Sequence, residues 1–600
     1  MAKSKHQNMS LAKVTPPRLP KVVERQRLFK ELDRARDYPV IWMTAPPGMG
    51  KTTLMASYLK ARKLPCLWYQ VDEGDADPAT LFHYLGLASK KASPRYKQPL
   101  PHLTPEYLPG LPIFTRRFFE KLFGRMKSSS VLVLDNYHLL QAESPIHDLL
   151  ETGLNMVPQG CTAIVMSREH PPPAMARLQA EQSLRLIDAE ALKLSPRETK
   201  QIVQLHTLSR PTKQQALKHD KIQEITQGWV GGLVLLLQNR DITLQVDLVG
   251  SERVPDVLFH YLAREALKRL PEETQTLLLT SSIFPFFTSE MASRLSGAAS
   301  AKEQLNRLYQ SRYFIERRAG LDQAYQYHPL YQKFLQANLH EQYSQKDITV
   351  FKKNAGHLLK EAGWVEEAVE LLQSAKEYET LAEIIISQAG VLLAQGRGKT
   401  LEQWIRILPN AVVDKCPWVM YWLGCCLLAF EPTKAQSAFE QTFQVLRKLG
   451  DRDGALMAWC GYIDATFFLW EDMSGLGPWV DHFPLTHAGE CETLEPNLQA
   501  MVSASMFTAL YWGKPVDPSI REWADRAVAH LPSFQQLHRA MGASVSLGRF
   551  YCERGDMKTS YSVLSRVEKL VHVRRLNGID LIMYYTMKQI FAYSKGEIEQ

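Results

Sequence analysis

One run of eight residues limits the fold of this chain more than any other. Ala45-Pro-Pro-Gly-Met-Gly-Lys-Thr52 lies between a short apolar run, Val40–Ala45, and a stretch of helical character, Lys51–Lys63. It follows the pattern GxxxxGK[ST], with Ala45 at the first glycine. Gly48 and Gly50 let the backbone curl, so that Pro47, Gly48, Met49, Gly50, Lys51, Thr52 and Thr53 would wrap phosphate oxygens. Lys51 would reach the β- and γ-phosphates, and Thr52 would offer its hydroxyl to Mg2+. The following helix points its positive end at the same anion. A strand before the turn and a helix after it are the context such a turn requires.

The pattern around it alternates. Apolar runs at Cys66–Val71, Val131–Leu134, Thr162–Met166 and Leu184–Ile187 read as strands, with helical stretches at Pro78–Lys91 and Ile113–Lys127. That order predicts an α/β domain with a parallel sheet covered by helices on both faces. Val131-Leu-Val-Leu-Asp135 would deliver a carboxylate at its C-terminal end, where Asp135 would hold Mg2+. Asn136 follows, where many ATPases carry a second acid. An amide accepts a hydrogen bond from water but takes no proton, so slow hydrolysis is expected. The Thr162–Met166 strand ends in Ser167-Arg168. If it is inserted beside the first strand, Arg168 faces the γ-phosphate as a sensor; otherwise it is a surface arginine at a strand end.

Charge is uneven. The net is +8, and residues 1–30 hold eight Lys/Arg against Glu24 alone. This predicts a flexible basic arm over 1–20, either a solvated tail or one that touches nucleic acid or an anionic surface, and gives no support for DNA binding by the remainder. No run resembles a signal-peptide core. The uncharged run Cys416–Phe430 is fifteen residues, short of the ~20 that a membrane span needs, and reads as a buried helix. The eight cysteines are scattered and match no zinc or disulfide spacing, which suits reduced thiols in a cytoplasmic protein.

These pieces resemble the STAND class of signal-transduction ATPases, and within it the MalT-like (LuxR-family) ATP-dependent transcriptional regulators. The resemblance rests on Val22-Val-Glu-Arg-Gln-Arg-Leu28, the Ala45–Thr53 turn, Trp68-Tyr-Gln-Val-Asp-Glu73, Val131–His138 and Ser167-Arg168. Gly228-Trp-Val-Gly-Gly-Leu233, Leu270-Pro-Glu-Glu-Thr274 and Tyr327-His-Pro-Leu-Tyr-Gln-Lys-Phe-Leu335 extend it. It implies a P-loop NTPase domain of the ASCE type over 21–191, then an all-α helical subdomain over 192–250. A winged helix over 251–342 and a TPR-like α-superhelix over 343–600 would complete the chain. It also implies that Gly228-Trp229 lies near the nucleotide, that His328 reads the ADP β-phosphate, and that Arg25 lines the base or ribose. Without the resemblance, His328 is a helix-start residue before Pro329, Gly228-Trp229 is a helix break with an aromatic anchor, and Arg25 is a surface arginine. Asp72 and Glu73 would end the second strand near the phosphate edge, and the acidic stretch that follows, to Asp77, reads as a solvated loop. Leu194-Ser-Pro-Arg-Glu198 looks like the opening of a LuxR-type DNA-binding motif. No recognition helix follows, and it reads better as Ser195 capping a helix from Pro196 with Glu198 at the third position.

From ~345 onward helical pairs recur. Gly363, Ala368, Leu372 and Ala375 have tetratricopeptide-like spacing; Ala435 and Phe439 repeat it 67 residues after Ala368, and Gly555, Ser560, Leu564 and Val567 fit again. Trp404, Trp418, Trp422, Trp459, Trp470, Trp479 and Trp512 would mostly pack between helices. Such arrays bind ligands along the superhelix, and the resemblance implies an inducer there.

The reading favours an ATP-binding switch. ADP would hold a resting state, ATP plus inducer would promote self-association, and DNA would be reached only through a further C-terminal domain or partner chain. A P-loop enzyme of another class, or a scaffold with an inactive nucleotide site, are the alternatives. Intact Lys51, Thr52 and Asp135 oppose the second, and the lack of an acceptor site or helicase motifs opposes the first. Leu581–Ser594 reads as a first helix without its partner, so the isolated chain is expected to aggregate or fray from about Arg574. Sizing with limited proteolysis checks this; a monomer with a protease-resistant C-terminus would count against it.

Overall fold

In the computed structural model, the described residues are 13–19, 22–206, 222–223, 226–238, 263–264, 267–310, 314–317, 324–469, 473, 475–483, 488–535, 537–573 and 578–595. The chain divides into two compact units: residues 1–102 with 112–377, and residues 103–111 with 378–600.

Five strands form the sheet of the first unit: β1 (Val40–Thr44), β2 (Cys66–Gln70), β3 (Val131–Asp135), β4 (Thr162–Ser167) and β5 (Leu184–Ile187). Their order is β2-β3-β4-β1-β5, and every pairing is parallel. All residues of β1, β3 and β4 are buried, which explains their unbroken apolar character. The inserted-strand expectation holds: β4 lies beside β1, with Thr44 opposite Ser167. The helix predicted over Ile113–Lys127 spans Leu111–Phe123 instead, because Gly124 follows and the chain turns.

The acidic stretch after β2 is no solvated loop. Asp72 and Asp75 form a reciprocal capping box, and Asp75 is fully buried. Tyr69 Oη donates to it at 2.6 Å, and Lys13 Nζ lies 2.7 Å from both Asp75 and Asp72. Lys13 belongs to the expected arm. Residues 1–12 lie outside the described residues, but Val14 and Thr15 are buried, and Arg18 N donates to Arg317 O at 3.4 Å.

The helix Pro196–His206 carries the expected capping box: Ser195 N donates to Glu198 Oε2 at 2.8 Å, and Glu198 N to Ser195 Oγ at 3.3 Å. Much of the predicted helical subdomain, 207–221 and 239–250, lies outside the described residues; its helix Val230–Gln238 is within them. Helices Glu272–Ser281, Ser289–Ser296 and Ala301–Gln310 then join a three-stranded sheet, β6 (Phe287–Thr288), β7 (Ile315–Arg317) and β8 (Ala324–Tyr327), ordered β6-β8-β7. Three helices with a small antiparallel wing make a winged helix.

The second unit is helical. Small residues sit where its helices cross. Phe439 lies between Gly424 and Gly461, and a Cβ on either would come within 2.8 Å or 2.6 Å of its ring. Ala435, Phe439, Ser560, Leu564 and Val567 are buried as the repeat frame expects. In the first unit Ala368 and Leu372 are too, and a Cβ on Gly356 would meet Leu372 at 2.7 Å. Trp459 is fully buried, while Trp418, Trp422 and Trp512 are half-buried; Trp470 lies outside the described residues.

The Glu198 carboxylate is also the partner of Arg25, at 3.3 Å with both side chains under a tenth exposed. Burial opposes its ionisation, but Ser195 N–H and Arg25 hold it below the usual carboxyl range. A lowered folded-state value means stability that is present above the ordinary carboxyl range, ~4.3, and lost as pH falls through the lowered one. Arg25→Met should cost about 2–3 kcal/mol at neutral pH, since Arg27 and Ser195 remain beside Glu198. Urea unfolding from pH 7 to pH 3 should also show a shallower acid limb in the variant.

Candidate nucleotide site

The turn after β1 is built as its glycines require. Gly48 and Gly50 have φ of 79° and 80°, a left-handed conformation that costs glycine little. Gly50 caps the helix Lys51–Arg62. Met49 is buried, whereas Pro47, Gly48, Gly50, Lys51, Thr52 and Thr53 line a cleft of about 330 Å3. Thr52 Oγ1 donates to Asp135 at 3.2 Å. A hydroxyl and one carboxylate suit a hard Mg2+ ion that takes its remaining ligands from phosphates and water. Among the described residues no group of three or more His, Cys, Asp or Glu could hold a metal ion, so such a site depends on those outside ligands.

The sheet register brings Arg168 to the same place. Ala45 N donates to Ser167 O at 3.3 Å and Thr44 Oγ1 to Arg168 O at 3.4 Å, which fixes the end of β4 against the phosphate turn. Asn136 has φ of 61°, a conformation asparagine tolerates well, and its N–H donates to Asp135 Oδ1 at 3.0 Å. Its side chain lines the cleft beside His138.

Two distant segments complete the walls. Trp229 Nε1 donates to Pro47 O at 3.3 Å, Gly231 N donates to Gly48 O at 2.9 Å, and Val230 stands 3.7 Å from where a Cβ on Gly50 would be. Gly48 has no room for a side chain, because a Cβ there would lie 2.7 Å from Trp229 Nε1. From the winged helix, His328 lines the cleft and caps the helix Pro329–Gln342 through Nδ1, which accepts from Leu330 N at 3.3 Å. That bond leaves the proton of neutral His328 on Nε2.

Arg25 lines the cleft but is neither at the surface nor free. It is 7% exposed, bound to Glu198, and donates to Leu192 O at 2.8 Å and Lys193 O at 2.9 Å. It therefore anchors the linker into the helical subdomain. Sequence reasoning missed Pro17 to Leu19, which reach the cleft only through the packed arm, and His138, which nothing but its place after Asp135 distinguishes.

Arg18, Arg25, Lys51 and Arg168 line the cleft against Asp135 and Glu316. Burial lowers Lys51 to about 8; Asp135 opposes the shift and Arg168 adds to it. His328 and His138 fall to about 4, first through burial, then through repulsion from Arg168 and Lys51. The Nδ1 of His138 is buried with no hydrogen-bond partner among the described residues.

Residues 263–347 match the family model described as the MalT winged helix domain. The chain is similar to MalT-type regulators, in its winged helix and across 66% of its length. It is 26% identical over 401 residues to the HTH-type transcriptional regulator MalT of Cronobacter sakazakii, covering 66% of this chain and 44% of that protein. The MalT of Klebsiella pneumoniae is 25% identical over 400 residues, with the same coverage. The match therefore spans less than half the length of these relatives. A STAND protein with a tetratricopeptide repeat sensor from Pyrococcus horikoshii aligns over 97% of this chain and 96% of its own, at 14% identity and a TM-score of 0.41. No helix among the described residues of this MalT-like chain is long and apolar enough to cross a membrane.

In nucleotide-free protein, both histidines have values below the ordinary ~6.5. The folded arrangement keeps this contribution to stability above that value and loses it as pH falls towards 4, because the unfolded chain takes up the protons first. Melting temperature should drop across this window, and His328→Asn should flatten the drop. Excess ADP should also flatten it, by placing anionic charge among the cations.

Proposed function

We propose that this chain is the sensor and ATP-responsive switch of a cytoplasmic transcriptional regulator. The observation that carries the reading is convergence. The phosphate turn, Trp229 with Gly231 from the helical subdomain, and His328 from the winged helix all meet at one cation-rich cleft. A ligand shifts such an arrangement only by its differential affinity for the closed and open states. ADP would favour the closed state, with His328 Nε2–H donating to its terminal phosphate. ATP would add a γ-phosphate beside Arg168, and Thr52 and Asp135 would hold Mg2+ with it. An inducer on the helical repeats would favour the open state, which self-associates. Contact with DNA would belong to a segment beyond these residues or to a partner chain.

Hydrolysis would be a slow reset. Asn136 can position water but cannot accept its proton, and general-base assistance is worth roughly 10²–10⁴-fold. Asn136→Asp should therefore speed single-turnover hydrolysis by about 10²-fold while leaving ADP affinity within a few-fold. Sizing by light scattering in ADP against a non-hydrolysable ATP analogue, with and without cell extract, tests the switch. Larger species should form with the analogue plus extract and vanish in Lys51→Ala. An identical size under every condition would refute it.

A further inference from the structure

A second cavity, of about 510 Å3, opens at the other end of the strands that deliver Asp135. Cys66 pairs with Val131 beside it, whereas Gln70 pairs with Asp135 at the phosphate end. Four strand steps, or ~13 Å, separate the two ends of this ladder. The walls come from the segment after the helix Pro78–Ala92 and from the turn that closes the helix Leu111–Phe123.

The cavity is one-sided in charge. Arg95, Arg125 and Lys127 line it, and no acid does. Arg125 is held in place: its guanidinium lies 5.6 Å over the Tyr96 ring, Tyr96 Oη donates to Gly124 O at 3.3 Å, and Ser93 Oγ donates to Arg125 O at 2.9 Å. Its Nη1 is nevertheless buried with no hydrogen-bond partner among the described residues. Three cations thus line the cavity with no carboxylate among the lining residues, an arrangement that favours an anion there. Burial pushes the Cys66 thiol up to about 12, which opposes thiolate formation there. Pro65, Leu67, Pro94 and Met126 give it an apolar side next to Tyr96.

We propose that this cavity is a second ligand site, for a small organic phosphate monoester. The phosphate offers three acceptor oxygens to Arg125, Arg95 and Lys127, and the organic part lies against Tyr96 and the apolar wall. The site is separate from the nucleotide cleft, so the two readings fail independently.

The test uses the full chain saturated with ADP, which fills the first site, and calorimetric titration of phenyl phosphate, inorganic phosphate and phenol. Phenyl phosphate should bind saturably at one site, more tightly than inorganic phosphate, and phenol should not bind. Arg125→Gln should weaken phenyl phosphate about tenfold or more, as loss of one charge-assisted contact implies, with ADP affinity unchanged. If that variant loses ADP binding through misfolding, the Arg95→Gln/Lys127→Gln double variant should show the same weakening. No binding of phenyl phosphate to the ADP-saturated chain would overturn the proposal. So would equal affinity for inorganic phosphate, or affinity unchanged in the folded variants.

Discussion

The arrangement of the first unit depends on cations gathered around one small cleft. Lys51 and Arg168 are partly desolvated there, and Asp135 is the carboxylate that opposes the shift of Lys51. Burial first, and then repulsion from Arg168 and Lys51, holds two neighbouring histidines below the ordinary histidine value. An enclosed excess of positive charge is unfavourable by itself and favourable around a polyphosphate. Under the proposed switch, the packing of the helical subdomain and the winged helix against the phosphate turn would depend on the anion inside. The uncharged contacts, Trp229 to Pro47 and Gly231 to Gly48, add geometry: they fix where the walls stand once closed.

The sheet was legible because its strands are buried on both faces and therefore unbroken in the sequence. The place of β4 beside β1 followed from the motif order, and the register puts Ser167 opposite Thr44 as that order requires. The Ser195–Glu198 cap was readable because capping is local. What could not be read was long-range pairing of charge. Arg25 and Glu198 are 173 residues apart; the sequence reads Arg25 as a surface arginine and Glu198 only as part of a helix cap, and nothing local pairs them. Asp75 was taken for a loop residue for the same reason: its partners are Tyr69 and an arm lysine 62 residues upstream. His138 carries no signal in a single sequence.

The repeats were legible for a different reason. Helix crossings need small residues, and Gly424 and Gly461 on either side of Phe439 are a steric demand that spacing reveals. Spacing does not say which half-buried aromatics face a ligand. Trp418, Trp422 and Trp512 are half-buried and pack against the core of the helical array.

The packed arm has a mechanical consequence. Lys13 is clasped by Asp72 and Asp75 on the P-loop domain, and Arg18 is bonded to Arg317 on the wing. The five residue steps between them reach at most ~17 Å when fully extended. They form a leash of fixed length, and its end at Pro17 and Arg18 lines the cleft. The wing can swing out at that point only within its reach; any wider opening must first pull a lysine from between two carboxylates or break the strand-like bridge at Arg317.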